Sequence, residues 1–151
     1  MEPSKKPSPA SDPTVYAEGC TAASDHLDAV HATLARFWGG LSTPPDEQWR
    51  LRFEVAVSEI AANIVEHARP PVMFFRLTSI AGCVVAEFRD AGQGWNGPPE
   101  PANVLDELDE LDALERLAER GRGLTLARRS VDEVEYERVG TSNHWRLMKR
   151  L

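Results

Sequence analysis

Positive charge, cysteine and long apolar runs are all scarce in this 151-residue chain, and each scarcity excludes something. Its 17 Lys and Arg are outnumbered by 24 Asp and Glu, giving a net charge of −7. Non-specific nucleic-acid affinity comes from clustered Lys and Arg, so no direct nucleic-acid partner is expected. The two cysteines, Cys20 and Cys83, lack metal-ligand spacing and are too sparse for a disulfide framework; both are expected to be reduced. No apolar stretch approaches the ~20 residues of a membrane span, and the N-terminus has no apolar signal region. The expectation is a cytoplasmic protein with no membrane partner. There is no Gly-Lys-Ser/Thr of a Walker loop, no complete dinucleotide-binding glycine fingerprint and no nucleophile-elbow serine. His26, His31 and His144 are not spaced as metal ligands.

What remains is ordinary globular composition, 42% hydrophobic and 27% charged. By length this is one domain, able to bury roughly 70% of its unfolded surface. Residues 1–14 hold four prolines with Ser, Lys and Asp and no apolar period, so a disordered tail is expected there, with a single folded domain over 15–151. Val15 to Cys20 suits a first strand. Ser24 offers an N-cap to a helix carrying Leu27, Val30, Leu34 and Phe37 at helical spacing, ended by Gly39-Gly40.

Thr43-Pro44-Pro45-Asp46-Glu47 has the form of a second helix start, with Thr43 as cap and acids near the positive end of the dipole. That helix should stop before Pro70-Pro71. Between Val55 and Val65 its only polar side chains are Ser58, Glu59 and Asn63, which predicts a mostly buried helix with Glu59 and Asn63 four apart on one face. Val72–Ser79 and Cys83–Arg89 are strand-like and joined through Ile80-Ala81-Gly82. From 102 to 120 leucines recur every third residue, at 105, 108, 111, 114 and 117. Such a row drifts around a helix axis, so two short helical pieces are expected, with a coiled coil as the alternative. A helix from Gly121 to about Ser130, a one-side-wet strand over 131–139 and a last strand through Trp145, Leu147 and Leu151 complete the chain. The order argues for a two-layer α/β sandwich with a mixed, mostly antiparallel sheet covered by helices on one face.

Three patterns carry chemistry. Glu59-x-x-x-Asn63 on an apolar helix is a solvated pair by spacing alone, or a buried or cleft-lining site by its neighbours. Asp90-x-Gly92-x-Gly94 after a strand is either a glycine turn capped by an Asx bond or a carboxylate placed to accept from an exocyclic amine. Gly121-x-Gly123 opening a helix suits phosphate through free N–H groups, or is simple helix entry. Arg116, Arg120, Arg122, Arg128 and Arg129 gather around it, most of them solvated.

In this order, with Leu124 after the second glycine pair and Gly140-Thr141 before the final strand, the motifs resemble the GHKL ATPase superfamily and its Bergerat fold. They are most similar to the small anti-sigma-factor serine kinases of the RsbW and SpoIIAB type. Ser58 through His67 looks like that family's N-box. The resemblance implies ATP with Mg²⁺: Asn63 holding the metal, Asp90 bonding the adenine amine, Gly92 and Gly94 letting backbone near the base. It implies Gly121, Arg122, Gly123 and Leu124 around the phosphates, Thr141 on the adenine side, residues 105–120 as a lid, and Glu59 as the base. Partners implied are a sigma factor, a STAS-domain anti-anti-sigma protein phosphorylated on serine, and a second copy in a homodimer. A non-catalytic, ATP-gated binding module is the alternative. Trp95, where the family has a smaller aliphatic residue, and Ile64, in place of an alanine, depart from the pattern.

Overall fold

The computed structural model describes residues 15–22, 25–95 and 123–151. The tail expected at 1–14, Ser24, the leucine row, Gly121 and Arg122 lie outside these residues. Five strands form one sheet: β1 (Val15–Ala22), β2 (Val72–Ile80), β3 (Cys83–Asp90), β4 (Glu133–Val139) and β5 (Ser142–Arg150). Their order across the sheet is β1-β2-β3-β5-β4, and all four pairings are antiparallel. Three helices, α1 (His26–Gly40), α2 (Glu47–Asn63) and α3 (Gly123–Ser130), pack with this sheet.

Strand alternation creates the two faces. Met73, Phe75 and Leu77 of β2, Val84, Ala86 and Phe88 of β3, and Trp145 and Leu147 of β5 are buried against Val30, Leu34 and Phe37 of α1 and Phe53, Val57 and Ile60 of α2. The opposite face carries a row of alternating charge that runs in register through all five strands: Glu18, Arg76, Glu87, Arg146, Glu135. Arg76 lies 2.9 Å from Glu87 and 3.9 Å from Glu18, and Arg146 lies 3.7 Å from Glu135. Each exposed pair contributes little stability, but together they keep the middle of this face wet. The β2–β3 hairpin turns on Ala81 and Gly82, with φ of 49° and 76°. Two consecutive positive φ values define the type I′ turn that matches strand twist.

Local departures from the sequence reading have simple causes. Asp46, not Thr43, caps α2, accepting from the Trp49 amide at 2.9 Å; the two prolines stay outside the helix, where their missing N–H costs nothing. Leu27 is 48% exposed because the apolar stripe of α1 meets the sheet only from Val30 onward. Leu151 is also exposed, one residue past the end of β5. α2 keeps Phe53, Ala56, Val57, Ile60 and Ala61 buried and leaves Glu59 and Asn63 half-buried.

Candidate functional site

At Ile64 the helix widens. Residues Ile64–Ala68 form a π-turn, closed by the Arg69 amide bonding the Ile64 carbonyl at 3.2 Å. Arg69 then takes a left-handed conformation at φ 49° before Pro70. Such π-turns recur at functional sites because they displace side chains from the regular helical face. Here the turn presents Asn63, Ile64, His67 and Ala68 toward the loop that follows β3.

That loop is fastened from three directions. Asp90, 4% exposed, accepts from the Gly92 amide at 2.8 Å in an Asx turn. The Gln93 amide donates to the Ala68 carbonyl at 2.9 Å. A Cβ on Gly92 would overlap that same Ala68 oxygen, so only glycine admits the loop to the helix end. Gly94 lies against the Arg138 side chain. Both glycines thus bring the loop into close contact with protein.

The third fastening comes from Asn143, which sequence reasoning placed in a turn. It is 1% exposed and stands opposite Asp90 in the β3–β5 register. Its amide nitrogen donates to Asp90 Oδ1 at 2.9 Å and to the Gln93 carbonyl at 2.8 Å. Its oxygen accepts from the Tyr136 hydroxyl at 2.6 Å and from Arg138 Nη1 at 2.7 Å. The signal was present: Asn143, Trp145 and Leu147 are spaced by two, so a strand beginning at Ser142 turns all three inward. Thr141, by contrast, is exposed at the β4–β5 turn.

Aromatic rings close the space between these elements. The Trp95 amide donates to the Tyr136 hydroxyl at 2.9 Å, and the Trp95 ring meets His67 and Trp145 edge-on at 5.0 and 5.9 Å. The cavity left between Asn63, Tyr136 and Asn143 is about 10 Å³. Larger recesses lie elsewhere, on the open sheet face near Phe74 and Arg89 and between α1 and α2. Asp90 and Ala91 also line the sheet-face recess, Asn63 and Asn143 line the small cavity, and Glu59 lines none of the three; the small cavity is the one that joins the end of α2 to the loop after β3.

Two of those groups lack partners. Asp90 Oδ2 and Asn63 Nδ2 are buried with no hydrogen bond among the described residues, an arrangement disfavoured unless a ligand completes it. An exocyclic amine fits the first, since a carboxylate oxygen only accepts. Asn63 can offer its amide oxygen to a hard cation such as Mg²⁺; no cluster of three His, Cys, Asp or Glu capable of holding a metal occurs among the described residues. One turn before Asn63, Glu59 presses its carboxylate on Gly123, the first residue of α3, so closely that a Cβ there would overlap Oε2. Burial pushes the Glu59 carboxyl up from its ordinary value, because a charged carboxylate is poorly solvated there. Leu124 packs half-buried on the core beside it. Arg128 and Arg129 are exposed.

A two-layer sandwich that brings an N-box-like helix, an Asp-Gly-Gly loop and a glycine-opened helix to one corner defines a nucleotide-binding class. A family model described as a histidine kinase-like ATPase domain matches residues 20–149, and the chain belongs to that family. Membership brings ATP as the ligand class. None of the curated proteins matches the chain.

Proposed function

We propose that this protein is an ATP-dependent serine/threonine protein kinase and anti-sigma regulator. In this reading it phosphorylates a STAS-domain anti-anti-sigma protein and holds a sigma factor when that partner is lacking, working as a cytoplasmic homodimer. The carrying observation is Glu59: a carboxylate with raised proton affinity set against the first residue of α3. The N–H groups of a helix start suit phosphate oxygens.

The residues then divide the work. Asp90 Oδ2 accepts from the adenine amine, and Asn143 holds Asp90 by its other oxygen. Asn63 would hold Mg²⁺ through its amide oxygen, and the metal would supply neutralisation of phosphate charge. Gly123 and Leu124, at the start of α3, would lie nearest the phosphates, a role the resemblance extends to Gly121 and Arg122. Glu59 takes the proton from the partner's serine hydroxyl as its oxygen bonds the γ-phosphorus and the bond from that phosphorus to the β,γ-bridging oxygen breaks, releasing ADP.

Incubation of the full chain with labelled ATP, Mg²⁺ and a co-encoded STAS protein tests this. Label should reach a serine of the STAS protein with wild type and be lost with Glu59→Ala, while ATP binding persists. If wild type never transfers label, the kinase reading fails. An ATP-gated binder remains the second reading, favoured by the aromatic closure around Trp95; it requires partner affinity that depends on ATP and is unchanged in Glu59→Ala.

A further inference from the structure

Three side-chain atoms among the described residues are buried without a hydrogen-bond partner: Asn63 Nδ2, Asp90 Oδ2 and Arg50 Nε. The first two border the nucleotide site. The third does not, for Arg50 precedes Asn63 on α2 by roughly 20 Å at ~1.5 Å per residue. It lines a recess of about 540 Å³ between α1 and α2, opposite Leu34, Ala35 and Trp38. That volume is in the range of small-ligand sites.

Glu54, one helical turn after Arg50, lines the same recess. At this spacing opposite charges on a helix can pair, yet the Glu54 carboxylate is engaged elsewhere: the Trp38 Nε1–H donates to its Oε1 at 2.7 Å. That bond fixes Glu54 in place and leaves its second oxygen as an acceptor. Arg50 Nε itself is closed off from solvent, so what the recess offers is the rest of the Arg50 guanidinium, with no side-chain partner among the described residues, together with a carboxylate acceptor, His31 and an apolar wall. A ligand with only a carboxylate would satisfy Arg50 and be repelled by Glu54. A ligand with only an ammonium would leave Arg50 unmet. A zwitterion answers both.

We propose that the recess between α1 and α2 binds a free α-amino acid with an apolar side chain, its carboxylate on Arg50, its ammonium on Glu54 and its side chain against Leu34 and Trp38. The proposal stands apart from the nucleotide reading. It supplies an effector site at the opposite end of the helix that carries Glu59 and Asn63.

The test is calorimetry and thermal melting of the full chain with each of the twenty L-amino acids at millimolar concentration, with acetate and ethylamine as half-ligands. An apolar amino acid should bind and raise the melting temperature, and neither half-ligand should do so alone. Arg50→Gln should weaken binding at least ~10-fold through loss of the charge-assisted bond. Gly39→Leu should weaken it comparably by narrowing the recess; a Cβ at Gly39 meets nothing within 4 Å, and a cooperative thermal melt establishes that each variant is folded before its binding is read. The proposal is overturned if no amino acid binds, if acetate binds as well as the best amino acid, or if the folded variants bind like wild type.

Discussion

Asn143 donates to Asp90 Oδ1 at 2.9 Å across the β3–β5 pairing and leaves Asp90 Oδ2 buried with no partner among the described residues. One oxygen is held by protein so that the other stays available. Asn143→Ala should destabilise the fold by about 1–3 kcal/mol, because Tyr136 and the loop carbonyls lose their partner, and should weaken ATP binding. Thr141→Ala, at an exposed turn, should stay within ~0.5 kcal/mol of wild type. Urea unfolding of the two variants checks this, and equal effects would remove Asn143 from its assigned place.

Two glycines should respond in opposite directions. Gly92→Ala forces a methyl into the Ala68 carbonyl and should cost about 1–3 kcal/mol. Gly39→Ala, near the end of α1 with open space around it, should stabilise by about 0.5–1 kcal/mol through helix propensity. Thermal melts of both variants decide it.

Glu59 couples stability to pH. Its folded carboxyl binds a proton more tightly than the ordinary value of 4.5, so its stabilising contribution is complete below that pH and is lost as pH rises through the raised folded value. Glu59→Gln cannot ionise. The melting temperature of Glu59→Gln relative to wild type should therefore climb as pH rises past 4.5, while phosphoryl transfer drops by about 10²–10⁴-fold. A gap that narrows with rising pH contradicts the burial argument.

Trp95 reports on the base pocket. With only about 10 Å³ free beside it, room for about one water molecule, a base can enter only if Trp95 or Tyr136 moves. ATP should change tryptophan emission, and Trp95→Ala should abolish most of that change and tighten ATP binding, because closed conformers no longer compete. Unaltered emission at saturating ATP would show that the rings stay in place.

Much of this was legible from spacing. The β2–β3 hairpin followed from β-branched runs around Ala81-Gly82, and the buried face of α2 from an apolar stretch interrupted only at Ser58, Glu59 and Asn63. Asp90 at a strand end before glycines was equally plain. Asn143 was not, because Gly-Thr-Ser-Asn has turn composition and its inward orientation depends on where β5 begins. Nor was the Asp46 cap, since Thr43 and Asp46 both have cap chemistry and only the path of Pro44-Pro45 separates them.

The sequence by itself determined which side chains are apolar, at what period, and which few polar groups must be carried inside with them. That is enough to make Glu59, Asn63 and Asp90 the candidate polar groups of a site. Which oxygen of Asp90 is satisfied, what Gly92 makes room for, and that Trp95 and Tyr136 fill the space between depend on strand register and on the π-turn at Ile64–Ala68. Those are relations between segments far apart in the chain, and only tertiary packing sets their distances.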